Sequence, residues 1–403
     1  MFKCVRGGDS TVSQETDEER LFRGYSGRLL LVISLGWALL QAGRLSISPL
    51  LPDIAAELQI SSAAAGFAIT VVWGTYAVLQ YPSGRLSDRL SRTTLLVSGL
   101  SLAAVGFLTL SAAPTYLTFL FGAVVIGVGV GLYPTPARGM VSDLFVAKRG
   151  RAFGLHTGSG DVGGILAAGI GTVVLAVATW RAAFAPVAAV LLLIALLLHL
   201  WSNEGYELAS VDLAVGDTFR RILGVPRLRW LLVAYALYAF TWQAATGFLP
   251  TYLRAKELSP AIANAGLAVL FVVGAVVKPL SGALGDRVPR GLLAPGVLLV
   301  AAGALVIVVL SSTAVIALSG IAVFAAGLMA YPPVMQAYLM DSFPGDSMGG
   351  DLGAMRSVYI GIGSLGATYV GVVAQYVDYD TAFVGLVGCL LISSTVIVLR
   401  GRK

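Results

Sequence analysis

The sequence contains few charged residues and very little cysteine or histidine. Only 12% of its 403 residues are charged, whereas a soluble domain carries about 25%. Two cysteines and two histidines are too few for a disulfide framework or a zinc-type cluster, so we expect no bound metal. No glycine-rich loop ends in Lys-Ser or Lys-Thr, which argues against a nucleotide-binding P-loop. The sequence therefore predicts no cofactor, and a net charge of +6 does not by itself indicate nucleic-acid binding.

Apolar residues make up most of the chain, and they occur in long runs. Hydrophobic residues make up 57% of the chain, and the mean hydropathy is +0.85. A helix needs about 20 mostly apolar residues to cross roughly 30 Å of hydrocarbon. Twelve such runs predict an all-α membrane protein with twelve transmembrane helices. The runs are residues 29–51, 62–82, 93–112, 116–140, 152–176, 181–200, 229–250, 261–282, 291–311, 314–340, 353–376 and 381–399.

Polar segments separate or flank these runs. Residues 1–28 contain neither an apolar run nor a signal-peptide pattern, and we interpret them as an N-terminal tail. Residues 201–228 form a central loop, and residues 400–403 form a second tail. This division predicts an N-terminal six-helix half over residues 29–200 and a C-terminal six-helix half over residues 229–399.

Lysine and arginine are concentrated on one side of the predicted helices. Loops on the side of the N-terminus carry twenty of them, whereas the opposite loops carry Arg181, Arg254 and Lys256. Cytosolic loops of membrane proteins are enriched in positive residues. The count therefore predicts a multi-pass plasma-membrane protein with both termini, and the central loop, in the cytosol.

A charged nine-residue pattern occurs twice in the chain. Residues 84–92 and 282–290 both read G-x-L-x-D-R-x-x-R, and they lie 198 positions apart. Other matches share this offset: Leu51-Pro52 with Leu249-Pro250, Tyr133-Pro134 with Tyr331-Pro332, and Asp143 with Asp341. Because each half holds an even number of helices, both copies begin on the same side. The sequence thus predicts two parallel repeats about an axis along the membrane normal.

Two six-helix halves that each carry this pattern after their second span resemble the major facilitator superfamily, over roughly residues 29–399. The superfamily pattern has a second glycine where this chain has Ser91 and Pro289. Span four also lacks an arginine that the family usually carries, since that position is Ala123. Span five contains no Gly-Pro pair of the kind typical of drug/proton antiporters, which disfavours multidrug export.

The resemblance implies a gating network at the cytosolic ends of the helices. Asp88 and Asp286 would engage the helix ends of the opposite half when the inner mouth closes. Asp143 and Asp341 would complete the network, and the alternative is that these charges are solvated membrane anchors. The predicted network consists of Gly84, Asp88, Arg89, Arg92, Asp143, Gly282, Asp286, Arg287, Arg290 and Asp341.

Arg44 lies inside the first predicted span, where a charge costs about 2.5–3.5 kcal/mol on insertion scales. Trp37, Gln41, Arg44 and Ser48 follow one another at helical spacing, so they form a polar stripe that we expect to line a cavity. A guanidinium group binds carboxylate or phosphate in a bidentate manner. We interpret Arg44 and Gln41 as binding residues for an anionic solute. The alternative is that Arg44 is paired structurally within its own half.

Arg138 and Asp161 lie at similar depth on neighbouring spans, each about 15 Å from the cytosolic face. We predict that they form an ion pair. This pair is either permanent and structural, or functional, with Arg138 binding the solute and Asp161 taking up a proton. Lys278 and Arg356 are predicted instead to extend to the cytosolic surface.

The C-terminal half offers aromatic and amide side chains at the matching positions. At the offset of 198, Trp242 corresponds to Arg44 and Gln336 corresponds to Arg138, with Tyr331 nearby. We predict that these three residues contribute to the solute site, although aromatic residues at helical spacing commonly serve packing. The expected cavity is cationic on one side and aromatic on the other.

These features predict a secondary transporter that moves a small, anionic organic solute by alternating access, with proton symport as a hypothesis. The first-span arginine, with Gln80 and Pro82, is similar to the organic-anion and sugar-phosphate branches of the superfamily. The alternatives are an exporter of hydrophobic or cationic compounds and a transporter-like sensor that binds without transport. No span carries a catalytic set, so we expect no enzyme. The expected partners are the lipid bilayer, the solute and a coupling proton, and we expect a monomer.

Overall fold

The structure, a computed structural model, describes residues 20–87, 89–206, 216, 220, 224–341 and 348–400. These residues form twelve long helical rods and contain no strand. The rods are α1 (Gly24–Glu57), α2 (Ser62–Ser87), α3 (Arg92–Ser111), α4 (Tyr116–Leu144), α5 (Arg149–Val177), α6 (Trp180–Trp201), α7 (Pro226–Ala255), α8 (Pro260–Gly285), α9 (Arg290–Leu310), α10 (Ala314–Met340), α11 (Met348–Tyr376) and α12 (Tyr379–Arg400). The predicted all-α fold with twelve helices is confirmed.

The helices extend beyond the apolar runs that predicted them. Helix α1 begins at Gly24 and ends at Glu57, whereas its run covers residues 29–51. Only the middle of a spanning helix must be apolar, because its ends lie in the polar headgroup region. Residues 1–19 of the predicted N-terminal tail, most of the central loop and the three residues after Arg400 lie outside the described part of the chain. The domain limits therefore remain predictions.

Helix α4 is broken near its middle. It consists of the segments Tyr116–Gly131 and Pro134–Leu144. Pro134 starts the second segment, where its missing N–H costs no hydrogen bond. The Tyr133 hydroxyl at the break donates to the carbonyl oxygen of Ile33 at 2.7 Å. The second segment, which carries Arg138, is thus set against α1.

Eleven rods are both long and apolar enough to cross a membrane, and among the described rods α7 falls below that hydropathy. Its sequence includes Tyr235, Tyr238, Trp242 and Gln243, and three of these side chains are buried. Buried polar and aromatic side chains face other helices rather than lipid. The lower hydropathy of α7 therefore marks a helix whose inner face is polar.

The repeat is visible in the way that helices begin. Ser61 caps α2 and Ser259 caps α8, each by accepting a hydrogen bond from a backbone N–H three residues on. Thr115 and Thr313 cap α4 and α10 in the same way. Each of these two pairs is separated by 198 positions, the offset of the charged pattern. The two halves therefore share local structure as well as sequence.

The halves meet mainly along two pairs of helices, α2 with α11 and α5 with α8, and α1 also contacts α7. We call the end of the bundle that holds Gly24 and Arg400 the termini face, and the end that holds Glu57 and Ser62 the far face. Both α2–α11 and α5–α8 combine one helix from each half. Relative movement of the halves must therefore change these contacts.

Close contacts join the halves toward the far face. A Cβ atom on Gly66 of α2 would lie 2.4 Å from the carbonyl oxygen of Ala367 of α11, so only glycine permits this approach. Arg254 of α7 donates to Asp53 of α1 at 2.8 Å. These contacts hold α1 against α7 and α2 against α11 toward the far face.

Candidate functional site

Arg44 is buried inside the bundle, and no carboxylate among the described residues forms an ion pair with it. Its Nη2 donates to the Gln41 side-chain oxygen, and its guanidinium carbon lies 3.7 Å from the centre of the Trp73 ring and 4.8 Å from that of Tyr76. Its Nε and Nη1 have no hydrogen-bond partner among the described residues. Gln41, Trp73 and Tyr76 all belong to the same half as Arg44, and they contribute an amide and two aromatic rings rather than a negative charge. They hold the guanidinium group in place and, within the described part of the chain, leave its charge without a counter-ion.

Trp242 reaches the same region from the C-terminal half. Its ring meets Trp73 edge-on, with 5.2 Å between ring centres. A crevice of ≈ 20 Å³, about the size of one water molecule, lies between the halves and is lined by Arg44, Trp73 and Thr246 among others. Arg44 and Trp242 occupy corresponding positions in the repeat, and both contact the indole ring of Trp73.

Arg138 does not pair with Asp161, so the predicted ion pair is wrong. The Nε of Arg138 donates to the carbonyl oxygen of Pro134 at 3.0 Å, and its charge interacts with Arg356, Tyr76 and Tyr359. Counting residues from the loops placed Arg138 and Asp161 at similar depth. It did not determine which face of each helix they occupy.

Asp161 forms its ion pair with Lys278 of the opposite half. Lys278 Nζ lies 2.5 Å from Asp161 Oδ1, and the carboxylate is buried. The prediction that Lys278 extends to the membrane surface is therefore wrong. A buried carboxylate requires a partner of opposite charge, and Lys278 provides it across the α5–α8 interface. Tyr238 is close enough to interact with Asp161 as well.

Arg356 and Tyr76 are site residues that the sequence reasoning missed. The Nε of Arg356 is buried and has no hydrogen-bond partner within the described residues, so the prediction that this side chain extends to the surface is wrong. Arg356 interacts instead with Tyr76 and Tyr359. Local spacing could have suggested the contact with Tyr359, which lies one helical turn after Arg356, whereas the contact with Tyr76 joins helices of opposite halves.

Tyrosines form the aromatic side of the centre. Tyr235 stacks on Tyr359 with 4.0 Å between ring centres, and Tyr238 lies 4.5 Å from Tyr331. Tyr331 also lies edge-on to Tyr235, which interacts with Arg356, so it belongs to the same aromatic cluster. Gln336 is half-buried farther along α10.

The predicted gating residues lie at the termini face as two matching ion pairs. Arg92 Nε lies 2.5 Å from Asp143 Oδ2, and Arg290 pairs with Asp341 at the equivalent position. Asp286 is exposed and lies 3.6 Å from Arg290 of its own half. The remaining network members are the exposed Arg89 and Arg287, the half-buried Gly84 and Gly282, and Asp88, which lies outside the described residues. The gating role stays a prediction.

Twelve rods in two repeated halves, with arginines and tyrosines gathered between them, define a multi-pass membrane protein with a polar centre. The chain belongs to the major facilitator superfamily. The family model described as Major Facilitator Superfamily matches residues 31–368. The resemblance that the charged repeat indicated is confirmed.

Three curated relatives illustrate the similarity. The chain is 27% identical over 255 residues to the "Uncharacterized transporter YycB" of Bacillus subtilis (strain 168), with 62% of each chain covered. It is 25% identical over 282 residues to the "Probable sulfoacetate transporter SauU" of Cupriavidus necator, covering 64% of this chain and 65% of that protein. It is 26% identical over 357 residues to the "Gentisate transporter" of Corynebacterium glutamicum, covering 83% and 74%. The match spans less than two thirds of the first two relatives' length. All three names describe transporters rather than enzymes.

Solved structures share the fold. A bacterial homologue of the human lysosomal transporter Spinster, in an inward-facing and occupied conformation, matches with a TM-score of 0.79 at 19% identity, covering 94% of this chain and 97% of that chain. A D-xylose-proton symporter matches with a TM-score of 0.75 at 17% identity, covering 94% and 98%. At these identities, the similarity supports the architecture alone.

Proposed function

We propose that the chain is a secondary transporter that moves a small organic anion across the plasma membrane by alternating access, with its termini face in the cytosol. The proposal rests on the surroundings of the Arg44 guanidinium group. Its guanidinium group is buried and fixed by Gln41 and Trp73, while two of its nitrogens have no partner among the described residues. Burying an uncompensated charge is costly, so a site that keeps one is suited to a ligand of opposite charge.

Two relatives support the anionic class. Their names refer to sulfoacetate and to gentisate, which are both organic anions. Gln41, Arg138, Trp242, Tyr331 and Gln336 complete the proposed solute site, with Arg138 supplying positive charge and the others aromatic or amide contacts.

A thermal-shift panel on the purified protein tests the solute class. Carboxylates, sugar phosphates or inorganic anions are expected to raise the melting temperature, and cationic drugs are not. A ligand at 100 times its Kd stabilises the folded state by about 2.7 kcal/mol. Arg44→Gln should lose the shift, whereas Arg229→Gln, at an exposed position of α7, should retain it. A shift with cationic drugs that Arg44→Gln leaves unchanged would instead support export of cations.

We propose that the Asp161–Lys278 pair couples transport to protons. Protonation of Asp161 would remove its charge, weaken the contact with Lys278 and ease the separation of α5 from α8. The groups facing Asp161 are Lys278 and Tyr238, while His156 lies on the same helix and interacts with Arg138. Coupling then follows from a contact that must break when the halves move.

Asp161→Asn is expected to abolish accumulation driven by a pH gradient in proteoliposomes while preserving solute counterflow. Counterflow exchanges solute for solute and does not require release of the proton. The matched control is Glu57→Gln, because Glu57 pairs with Arg181 within one half. Gradient-driven accumulation by Asp161→Asn at the parental level would show that the coupling role is wrong.

The two Arg–Asp pairs at the termini face are proposed to stabilise helix ends that rearrange when the inner mouth closes. Their side chains are partly exposed, and such pairs contribute only about 0–1 kcal/mol each. Contacts of this strength are compatible with a gate that opens in every cycle.

An exporter of hydrophobic compounds is the second candidate function. The stacked tyrosines of α7, α10 and α11 favour it, since they offer an aromatic surface without a charge of their own. The arginines in the same centre favour an anion, and the thermal-shift panel distinguishes the two.

A further inference from the structure

Three arginines converge on the centre of the bundle, and they come from both halves. Arg44 lies on α1 and Arg138 on α4 of the N-terminal half, whereas Arg356 lies on α11 of the C-terminal half. Tyr76 interacts with each of these three side chains, and the guanidinium carbon of Arg44 lies 4.8 Å from the centre of its ring. A ligand beside Tyr76 would therefore meet positive charge from both moving parts of the protein.

The three guanidinium groups form two positive poles: Arg138 and Arg356 make up one, and Arg44 is the other. Arg138 and Arg356 are close enough to repel each other electrostatically. Arg44 interacts with Tyr76 and stacks on Trp73, with its guanidinium carbon 3.7 Å from the centre of that ring. Like charges in a medium of low dielectric constant raise the free energy of the unoccupied site. An anionic group beside Arg138 and Arg356 would relieve this repulsion, and a separate one would satisfy the free nitrogens of Arg44.

The protein itself provides little negative charge here. Among the side chains that the structure describes, the carboxylate buried inside the bundle is Asp161, and Lys278 neutralises it at 2.5 Å. Arg44 and Arg356 each retain a buried nitrogen that has no hydrogen-bond partner within the described residues. The counter-charges are therefore best supplied by the solute.

We propose that Arg356 completes a two-pole, three-arginine site and that the site selects solutes with two anionic groups. One group binds at Arg44 and the other binds between Arg138 and Arg356, with Tyr76 between the two groups. This inference rests on the proposed transport of an anion. It adds that the solute carries two negative groups and that the C-terminal half contributes to their binding through Arg356. Binding from both halves also makes the solute a bridge that holds the halves together.

Pairs of probes that differ by one charge test the site. The probes are succinate, glutarate and phthalate, each beside its monomethyl ester, titrated by calorimetry into the purified full-length protein at neutral pH. At least one diacid is expected to bind about tenfold or more tightly than its ester, because a charge-assisted contact is lost in the ester. In Arg356→Gln this ratio should approach one, with the affinity for the ester little changed. Arg356→Lys should restore part of the preference, and Arg229→Gln should keep all of it.

The outcomes separate this inference from the proposed function. Equal affinity for diacid and ester in the parent protein would overturn the two-pole site and leave the anion transporter intact. If Arg356→Gln lowered the affinity for diacid and ester equally, Arg356 would act on folding and not on charge selection. That result would also overturn the two-pole site. Binding of organic cations, with none of the six probes bound, would overturn the inference and the proposed function together.

Discussion

Arg44→Ala is expected to lower kcat/KM for solute uptake by at least about 100-fold. In the proposed site, the free Nε and Nη1 of Arg44 each donate one hydrogen bond to the solute. Hydrogen bonds to charged groups contribute about 1.5–3 kcal/mol each, and about 1.4 kcal/mol corresponds to a factor of ten. Two such bonds account for the expected loss. Initial rates in proteoliposomes, normalised to the amount of reconstituted protein, provide the measurement.

Arg44→Lys is the informative companion variant. Lysine keeps the charge but loses the planar fork and the stack on Trp73, so its activity should fall between those of the parent and Arg44→Ala. Arg229→Ala, on the exposed surface of α7, should transport normally. Parental uptake by Arg44→Ala would place the anion elsewhere in the bundle.

The fold could be predicted because its determinants are long and repeated. Runs of about 20 apolar residues specify spanning helices almost without regard to context. The copies of the charged pattern, at residues 84–92 and 282–290, show that the two halves are related. The same offset describes the Arg92–Asp143 and Arg290–Asp341 pairs, which the sequence suggested and the structure contains.

The candidate site was only partly predictable, because residue counting gives depth and not direction. Arg138 and Asp161 were expected to meet at the same depth, yet Asp161 faces α8 and meets Lys278 instead. Arg356 and Lys278 were expected at the surface, since each lies within a few turns of a helix end. Each faces the other half in the folded protein, and no local pattern encodes contacts between helices that are more than 100 residues apart.

The contacts between the halves are the ones that the proposed movement would have to change. At the far face, the halves meet through Gly66 with Ala367 and through Asp53 with Arg254. Nearer the centre they meet through Asp161 and Lys278. At the termini face, Asp286 pairs with Arg290 within its own half. The halves are therefore in contact at the far face, and the proposed alternating access requires the Gly66 contact to separate.

Gly66→Leu is expected to shift the protein out of this conformation and to reduce uptake about tenfold or more. A Cβ atom at position 66 would lie 2.4 Å from the backbone oxygen of Ala367, and a backbone atom cannot turn aside as a side chain can. Overpacking of this kind costs about 1–3 kcal/mol. Because the clash exists only while α2 and α11 are in contact, that cost falls on this conformation and favours one in which they separate.

Accessibility at the crevice between the halves measures this shift. With Cys4 and Cys389 replaced by serine, Thr246→Cys places a thiol at a buried position of α7 that lines the crevice. A membrane-impermeant maleimide applied from the far face should label it faster in Gly66→Leu, and Gly66→Ala should give a smaller increase. Gly303→Leu is the control, since nothing lies within 4 Å of a Cβ atom at that position.

Unchanged labelling and uptake in a well-folded Gly66→Leu protein would mean that α2 and α11 do not separate during transport. In that case, α5 and α8, with the Asp161–Lys278 pair between them, would have to provide the opening.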